Sequence, residues 1–123
     1  MSGLPASVAV VEDDASVRTA LQELFRSVGV DAHVFPSAEA FLASDRHVVD
    51  CVIADVNLPG MSGVALVKAL ASNKRGPPAV LITGRDDPNT IALLDQAGDV
   101  PRLHKPFSED ALFDAIGRAM TRG

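Results

Sequence analysis

Acidic side chains follow two short apolar runs of this 123-residue sequence. Glu12 and Asp13 come directly after the run at 8–11, and Asp55 ends the run at 51–55. If the fold brings these three carboxylates together, they repel one another, and apolar surroundings make their full ionisation costly unless a cation is supplied. Because all the candidate ligands are hard oxygen atoms, with no His or Cys among them, the set favours Mg²⁺, with Mn²⁺ as the alternative, over zinc.

Three further residues offer groups that bind phosphate oxygens. Thr83 ends another apolar run and carries a hydroxyl, Gly84 lets the backbone approach closely, and Lys105 adds an ammonium. A metal ion, an ammonium and hydrogen-bond donors around one exposed carboxylate describe a phosphoryl-transfer site with Asp55 as the nucleophile. The expected product is an aspartyl phosphate. Each residue alone also suits an ordinary role in a cap, a turn or a solvated surface, so the hypothesis depends on their joint placement.

That placement requires a fold that gathers distant parts of the chain. Short apolar runs alternate with apolar residues spaced by three and four, which predicts five repeats of a strand followed by a helix. The predicted strands are 8–11, 31–35, 51–56, 79–83 and 101–105, and the predicted helices are 17–28, 37–43, 64–71, 90–97 and 108–120. Asp13 and Asp14 precede the first helix and can cap it, and Gly29 is placed to end it.

Three of the predicted strands are continuous runs of Val, Ile, Leu and Ala, as expected for parallel strands covered on both faces. We therefore predict an α/β fold: a doubly wound, five-stranded parallel sheet in the order 2-1-3-4-5 within a three-layer sandwich. Ligands of such sheets bind beyond the carboxyl ends of the strands, at the switch point between strands 1 and 3. The candidate residues end or follow strands 1, 3, 4 and 5, so they are expected to converge there.

Composition restricts the class of protein. With 47% apolar and 22% charged residues, the chain has the composition of a globular protein, and its length suits a single domain over 1–123. We expect a cytoplasmic protein with no membrane contact, because no apolar run approaches the roughly 20 residues of a membrane span and the first residues do not resemble a secretory signal. A net charge of −5 with scattered Lys and Arg argues against direct nucleic acid binding. The lone Cys51 is expected to be a core residue.

Four blocks of the sequence resemble the receiver domains of two-component response regulators, the CheY-like family, which has a flavodoxin-like fold. The blocks are "VVEDD" at 10–14, "DVNLPGMSG" at 55–63, "LITG" at 81–84 and "HKPF" at 104–107. Their order and spacing are specific, and the match spans about residues 7–120. A weaker similarity, carried by "LITG" and by "SAEAFLA" at 37–43, is to the receivers that precede LuxR-type DNA-binding domains.

The resemblance implies a phosphoprotein of a phosphorelay, in which Asp55 takes a phosphoryl group from a sensor histidine kinase or a phosphotransfer protein. Such a module is a signalling domain rather than an enzyme, although it assists its own phosphorylation and dephosphorylation, and it switches conformation to control an output. A homodimer through the face formed by the fourth helix, fifth strand and fifth helix is compatible with the resemblance.

The resemblance also implies roles at the site. Asp13 and Asp55 bind Mg²⁺ directly, Glu12 binds it largely through water, and Asn57 binds it through its backbone carbonyl. The phosphoryl oxygens are contacted by Thr83, Gly84 and Lys105, and the peptide bond between Lys105 and Pro106 is expected to be cis.

One position departs from the family. Receivers usually carry Tyr or Phe three residues before the lysine, and this chain has Arg102 there and contains no Tyr or Trp. The main alternative is therefore a phosphorylation-independent pseudo-receiver that acts as a protein interaction module. A haloacid-dehalogenase-like hydrolase is disfavoured, because it needs an acid two residues after the nucleophile, where this chain has Asn57. A nucleotide or flavin site is disfavoured by the absence of "GxxxxGK[ST]" and "GxGxxG".

Overall fold

The computed structural model describes residues 4–45, 48–72 and 76–122. In these ranges five strands alternate with five helices along the chain. The strands are β1 (Ser7–Val11), β2 (Asp31–Phe35), β3 (Cys51–Asp55), β4 (Ala79–Thr83) and β5 (Arg102–His104). The helices are α1 (Ala15–Ser27), α2 (Ala38–Ala43), α3 (Gly63–Ala71), α4 (Pro88–Gln96) and α5 (Glu109–Arg122). All neighbouring strands are parallel, and their order is β2-β1-β3-β4-β5, so the predicted fold class and strand order are confirmed.

Two apolar cores lie on opposite faces of the sheet, because successive residues of a strand point to opposite sides. The first core contains Val8, Val10, Cys51, Ile53, Val80 and Ile82 of the strands with Leu21, Phe25, Leu112, Ala115, Ile116 and Ala119 of α1 and α5. The second contains Ala9, Val11, Val52, Ala54 and Leu81 of the strands with Ala38, Phe41, Val64, Leu66 and Val67 of α2 and α3, and Leu93 and Leu94 of α4 pack against it. The three central strands are covered on both faces, which explains their unbroken apolar sequences.

Helix α1 begins after Asp14 and ends before Gly29, the residues that were expected to bound it. Its N-cap is Asp14, whose carboxylate accepts hydrogen bonds from the backbone N–H groups of Ser16 and Val17. Gly29 adopts a φ of 81°, and Val30 N–H donates to the carbonyl of Phe25 at 2.9 Å, which completes a Schellman motif. The turn sends the chain into β2, beside β1.

Helix α4 begins two residues earlier than the periodicity predicted, at Pro88 rather than Thr90. Proline at the first helical position is favourable, because its fixed φ suits the helix. The N–H that it lacks would have no acceptor within the helix at that position. The apolar spacing could not reveal this start, since Pro88 and Asn89 are both exposed.

Cys51 is fully buried in the first core, as predicted. Burial raises the pKa of its thiol to about 12, so the side chain behaves as a small apolar residue rather than as a reactive one. Among the described residues, the helices are too short or too polar to span a lipid bilayer.

The start of α3 packs directly against the backbone that follows β3. A Cβ atom on Gly63 would overlap the carbonyl oxygen of Asp55 and lie 2.8 Å from its carbonyl carbon. Because backbone atoms of a buried strand cannot move aside, we expect Gly63→Ala to lower the free energy of unfolding by about 2 kcal/mol, measured by urea denaturation. The matched control is Gly117→Ala in α5, where a Cβ meets nothing within 4 Å. That variant should gain roughly 0.5 kcal/mol from helix propensity, and equal effects of the two variants would contradict the packing argument.

Candidate functional site

The register of the central strands sets Glu12 beside Asp55. Val11 pairs with Ala54 across β1 and β3, so the residues that follow each of them lie next to one another at the carboxyl end of the sheet. On the other side, Asp55 pairs with Ile82 of β4. The parallel arrangement therefore brings the first acidic block within reach of Asp55, although 43 residues separate Glu12 and Asp55 in the sequence.

Lys105 joins these two acids. The end of β4 positions it, because Lys105 N–H donates to the carbonyl of Thr83 at 2.7 Å. Its Nζ lies 2.8 Å from Oε1 of Glu12 and 2.8 Å from Oδ2 of Asp55. One ammonium thus donates to both carboxylates. The peptide bond between Lys105 and Pro106 is cis, as expected.

Asp55 is buried rather than exposed, so the prediction of an exposed carboxylate was wrong. Its side chain is 8% exposed and that of Glu12 is 1% exposed, whereas Lys105 reaches 26%. β3 is buried along its whole length, including its last residue. Burying two carboxylates at this depth is costly, and pairing with the lysine and hydrogen bonds to the backbone offset that cost.

Backbone N–H groups satisfy the remaining carboxylate oxygens. Oε2 of Glu12 accepts from Asp14 N–H at 3.1 Å, and Oδ1 of Asp55 accepts from Asn57 N–H at 2.8 Å. The guanidinium of Arg18, one turn into α1, donates to the carbonyl of Glu12 at 2.7 Å and ties the acidic block to the helix. Both acids are therefore held in one orientation by contacts within the protein.

The third acid completes a cluster that suits a hard cation. One carboxylate oxygen each from Glu12, Asp13 and Asp55 lie within 4.8 Å of one another, and Asp13 is the exposed member. When all three are ionised, the single positive charge of Lys105 leaves two net negative charges. One divalent cation balances that charge, and carboxylate oxygens are the ligands that Mg²⁺ prefers.

Burial raises the pKa of Glu12 to about 7, from an ordinary value of 4.5. Hydrogen bonds from Lys105 and from the backbone of Asp14 oppose this rise, and the negative charge of Asp55 adds to it. Burial works to lower the pKa of Lys105, but its hydrogen bonds to Asp55 and Glu12 outweigh that effect and raise the pKa above its ordinary value. Lys105 is therefore cationic at neutral pH, while Glu12 titrates close to neutrality.

This titration predicts a pH dependence of stability in the absence of metal. Between about pH 4.5 and 7 the folded protein holds a proton on Glu12 that the unfolded chain has released, so the free energy of unfolding falls as pH rises through that window. We expect Glu12→Gln to remove this fall, which has an upper limit of about 3 kcal/mol. Urea denaturation at pH 5 and pH 8 in the presence of a chelator measures it.

The control for this prediction is Glu23→Gln, at an exposed position of α1. Hydrogen bonds hold the pKa values of Asp14, Glu39 and Asp87 below their ordinary range, so their stabilising contributions are lost only at more acidic pH and do not enter the window. An unchanged slope in Glu12→Gln would show that Glu12 does not titrate there.

Thr83 and Asn57 lie beside the acids, and their side chains bond away from the lysine. The hydroxyl of Thr83 has two acceptors, the carbonyl of Arg85 at 3.1 Å and Oδ1 of Asn57 at 3.4 Å. Gly84 follows Thr83 against the side chain of Lys105, whose Cδ would lie 3.6 Å from a Cβ at that position. The structure therefore brings Glu12, Asp13, Asp55 and Lys105 into one cluster, with Thr83, Gly84 and Asn57 at its border.

Two residues near the site were missed by the sequence analysis. Thr90 is fully buried, and its hydroxyl accepts from Nδ2 of Asn57 at 3.1 Å. Glu39 of α2 accepts from Met61 N–H at 2.8 Å and so holds the loop that follows Asp55. The spacing of Thr90 before Leu93 and Leu94 places all three on the inner side of α4, a signal that could have identified it.

Arg102 occupies the position at which receiver domains usually carry Tyr or Phe. It is exposed, and its Nη2 donates to the carbonyl of Gly98 at 2.6 Å. The side chain is thus held at the start of β5, against the chain segment that leads into that strand.

Comparisons with known proteins agree with one another. A family model described as the response regulator receiver domain matches residues 8–117. Nodulation protein W of Bradyrhizobium diazoefficiens is 42% identical over 119 residues, which cover 95% of this chain and 52% of that protein. The response regulator protein TodT of Pseudomonas putida is 34% identical over 121 residues, which cover 98% of this chain and 53% of that protein. The chain thus spans about half the length of these curated relatives.

Among solved structures, the crystal structure of FixJ-N superposes with a TM-score of 0.81 at 33% sequence identity. The match covers 95% of this chain and 94% of that chain, so the likeness extends over nearly all of both.

Proposed function

The chain belongs to the response regulator receiver domain family of two-component signalling, and from this premise we propose that Asp55 accepts a phosphoryl group from a phosphohistidine donor. Receiver domains are signalling domains rather than classical enzymes. The observation that carries the proposal is the position of the Lys105 Nζ, 2.8 Å from Oδ2 of Asp55 at the carboxyl end of the sheet. The proposed receiver domain comprises residues 1–123, and its net charge of −5 argues against direct nucleic acid contact.

The proposed transfer needs little from the protein beyond alignment and charge. A carboxylate oxygen of Asp55 attacks phosphorus, the O–P bond forms, the P–N bond of the phosphohistidine breaks, and its electron pair stays on the departing imidazole nitrogen. Asp55 reacts as an anion, so no general base is required. The ammonium of Lys105 can stabilise the negative charge that develops on the phosphoryl oxygens. The N–H of Asn57 holds the carboxylate of Asp55 in orientation.

We further propose that Glu12, Asp13 and Asp55, with the backbone carbonyl of Asn57, hold Mg²⁺, and Mn²⁺ has the same preference for oxygen ligands. Three carboxylate oxygens within 4.8 Å of one another, with the ammonium of Lys105 as their ion-pair partner at Glu12 and Asp55, support this assignment. When bound, the ion would neutralise charge on the transferred group. Thr83 is proposed to turn its hydroxyl from Asn57 and Arg85 to a phosphoryl oxygen once Asp55 is modified.

Intact-mass spectrometry after incubation with acetyl phosphate and Mg²⁺ tests the proposal. We expect a gain of about 80 Da, the mass of one phosphoryl group, which hydroxylamine removes as expected of an acyl phosphate. The same incubation with a chelator in place of Mg²⁺ is the control and should give little product. No mass gain with either acetyl phosphate or a phosphorylated kinase would favour the alternative, a pseudo-receiver that signals through binding alone.

A groove beside the acid cluster suits the donor protein. It measures about 560 Å³ and lies between α1 and the turn after β5, and its lining includes Val17, Ala20, Leu24, Phe107 and Lys105. A histidine on a helix must bring its phosphoryl group to Asp55, and packing an apolar helix face into this groove would place it near Lys105. We therefore propose that the histidine-bearing domain of a sensor kinase or phosphotransfer protein docks there.

Replacing the groove residue Ala20 with glutamate is expected to slow phosphotransfer from the kinase by about 10-fold or more, because a charge is buried against an apolar partner surface. Modification by acetyl phosphate should stay within about twofold, since that donor needs no docking surface. Transfer of label from the autophosphorylated kinase measures the first rate. Thr19→Glu is the matched control, because Thr19 is an exposed neighbour on α1 outside the groove lining. Equal slowing by both variants would contradict the docking site.

A further inference from the structure

A series of side-chain hydrogen bonds leads from the acid cluster to the first turn of α4. Asn57, whose backbone N–H binds Asp55 Oδ1, donates from Nδ2 to the hydroxyl of Thr90 at 3.1 Å. Thr90 in turn donates to Oδ1 of Asp87 at 2.7 Å. The hydroxyl of Thr90 therefore accepts one hydrogen bond from Asn57 and donates another to Asp87. It links the loop after β3 to the start of α4.

The series closes on itself through the loop between β4 and α4. Nε of Arg85 lies 3.2 Å from Oδ1 of Asp87, and the backbone N–H of Arg85 donates to the hydroxyl of Thr83 at 3.0 Å. The Thr83 hydroxyl reaches Oδ1 of Asn57. We call these five residues, Asn57, Thr83, Arg85, Asp87 and Thr90, the polar ring.

Two features indicate that the polar ring is part of the packed structure rather than a chance set of surface contacts. Thr90 is fully buried, so its hydroxyl would be a liability without the partners it has. Asp87 is the N-cap of α4, yet its side chain makes no cap hydrogen bond and instead binds Thr90 and Arg85. The helix thus gives up an ordinary cap, and its first turn is joined to the ring instead.

The ring also contains an element with two arrangements. Thr83 has one hydroxyl proton and two acceptors, the carbonyl of Arg85 and Oδ1 of Asn57. If the hydroxyl turns to a phosphoryl oxygen, both acceptors lose this donor at once. Modification of Asp55 also changes the charge of the oxygen that holds Asn57 N–H. Both changes converge on Asn57, whose amide is then held by Thr90.

We propose that the contact of Asn57 with Thr90 couples the state of Asp55 to the position of the first turn of α4. This inference deepens the proposed function and rests on it. Such a route does not depend on an aromatic ring at position 102, where the side chain of Arg102 is exposed and donates to the carbonyl of Gly98. Thr90 acts here as a positioning residue, since it reaches Asp55 only through Asn57.

Hydrogen–deuterium exchange of peptides covering 84–97 tests the coupling, with and without beryllofluoride and Mg²⁺ as the mimic of the phosphoryl group. Wild type should show a changed exchange rate in α4 on addition of the mimic. Thr90→Val, which keeps the shape and loses the hydroxyl, should reduce that change at least about fivefold. Thr90→Ser, which keeps the hydroxyl, should retain most of it. A full response in Thr90→Val would overturn the coupling.

Controls separate this inference from a failure of the proposed function or of folding. The mass gain of each variant with acetyl phosphate is measured in parallel, and Thr90→Val should stay within about twofold of wild type, since Thr90 does not touch Asp55. Absence of that gain in wild type would overturn the proposed function and the coupling with it. Thr19→Val, at an exposed threonine of α1, should respond as wild type does. If Thr90→Val does not fold, Thr90→Ala removes the same hydroxyl from its contact with Asn57, and a full response in that variant would equally overturn the coupling.

Discussion

Asp55→Asn is expected to give no detectable mass gain with acetyl phosphate and Mg²⁺, a loss of at least about 1,000-fold in the rate of modification. An amide carries no anionic oxygen to attack phosphorus, although its carbonyl can still accept from Asn57 N–H or from Lys105. In the absence of metal at pH 8, the same variant should be more stable than wild type by about 1 kcal/mol, measured by urea denaturation. The reason is that the charge of Asp55 is one cause of the raised pKa of Glu12.

This pairing of lost reactivity with gained stability is specific to the cluster. Asp95→Asn, at an exposed aspartate of α4, is the matched control and should change neither property. A mass gain that persists in Asp55→Asn would identify another acceptor. A loss of stability in that variant would show that the hydrogen bonds of Asp55 stabilise the fold by more than its repulsion of Glu12 destabilises it.

Lys105→Met is expected to slow modification by acetyl phosphate about 100-fold, because the ammonium that follows charge on the phosphoryl oxygens is lost. The variant also leaves two buried carboxylates without their counter-charge. At pH 8 without metal, its free energy of unfolding should be about 2 to 3 kcal/mol below that of wild type. The deficit should shrink as pH falls towards 5, since the hydrogen bond from Lys105 lowers the pKa of Glu12 and its removal lets Glu12 take up a proton more readily.

Urea denaturation of both proteins at pH 5 and pH 8 measures this deficit. Lys68→Met is the matched control, because Lys68 is an exposed lysine of α3 that bonds to Gln96 at 3.3 Å, and it should show no pH-dependent deficit. A deficit of equal size at both pH values would mean that Lys105 stabilises the fold through its packing rather than through its charge.

The pattern of the sequence was sufficient to predict the fold and the membership of the acid cluster. Strands buried on both faces must be apolar throughout, so β3 and β4 were visible as unbroken runs that end on polar residues. Parallel strands with right-handed crossovers leave few topologies, and in all of them the carboxyl ends of the strands meet at one edge. Glu12, Asp55 and Lys105 could therefore be placed together without coordinates.

Boundaries and burial were predicted less well, for local reasons. The start of α4 was missed because its first residues are exposed and carry no apolar period. The burial of Asp55 was missed because a charge at the end of a strand suggests exposure. Only the packing around β3 shows that the backbone of the next helix closes over that end, at the contact between Gly63 and the carbonyl of Asp55.

The sequence by itself determined the order of the strands, the edge where the acids gather and the chemistry that their oxygen atoms favour. Only the tertiary structure decided which atoms meet: that one ammonium serves both Glu12 and Asp55, and that Asn57 bonds to the buried Thr90. The partners of Lys105 are 93 and 50 residues away from it in the sequence, and Asn57 and Thr90 are 33 residues apart. Such contacts depend on strand register and side-chain rotamers, which are set by the packing of the whole domain and leave no periodic trace along the chain.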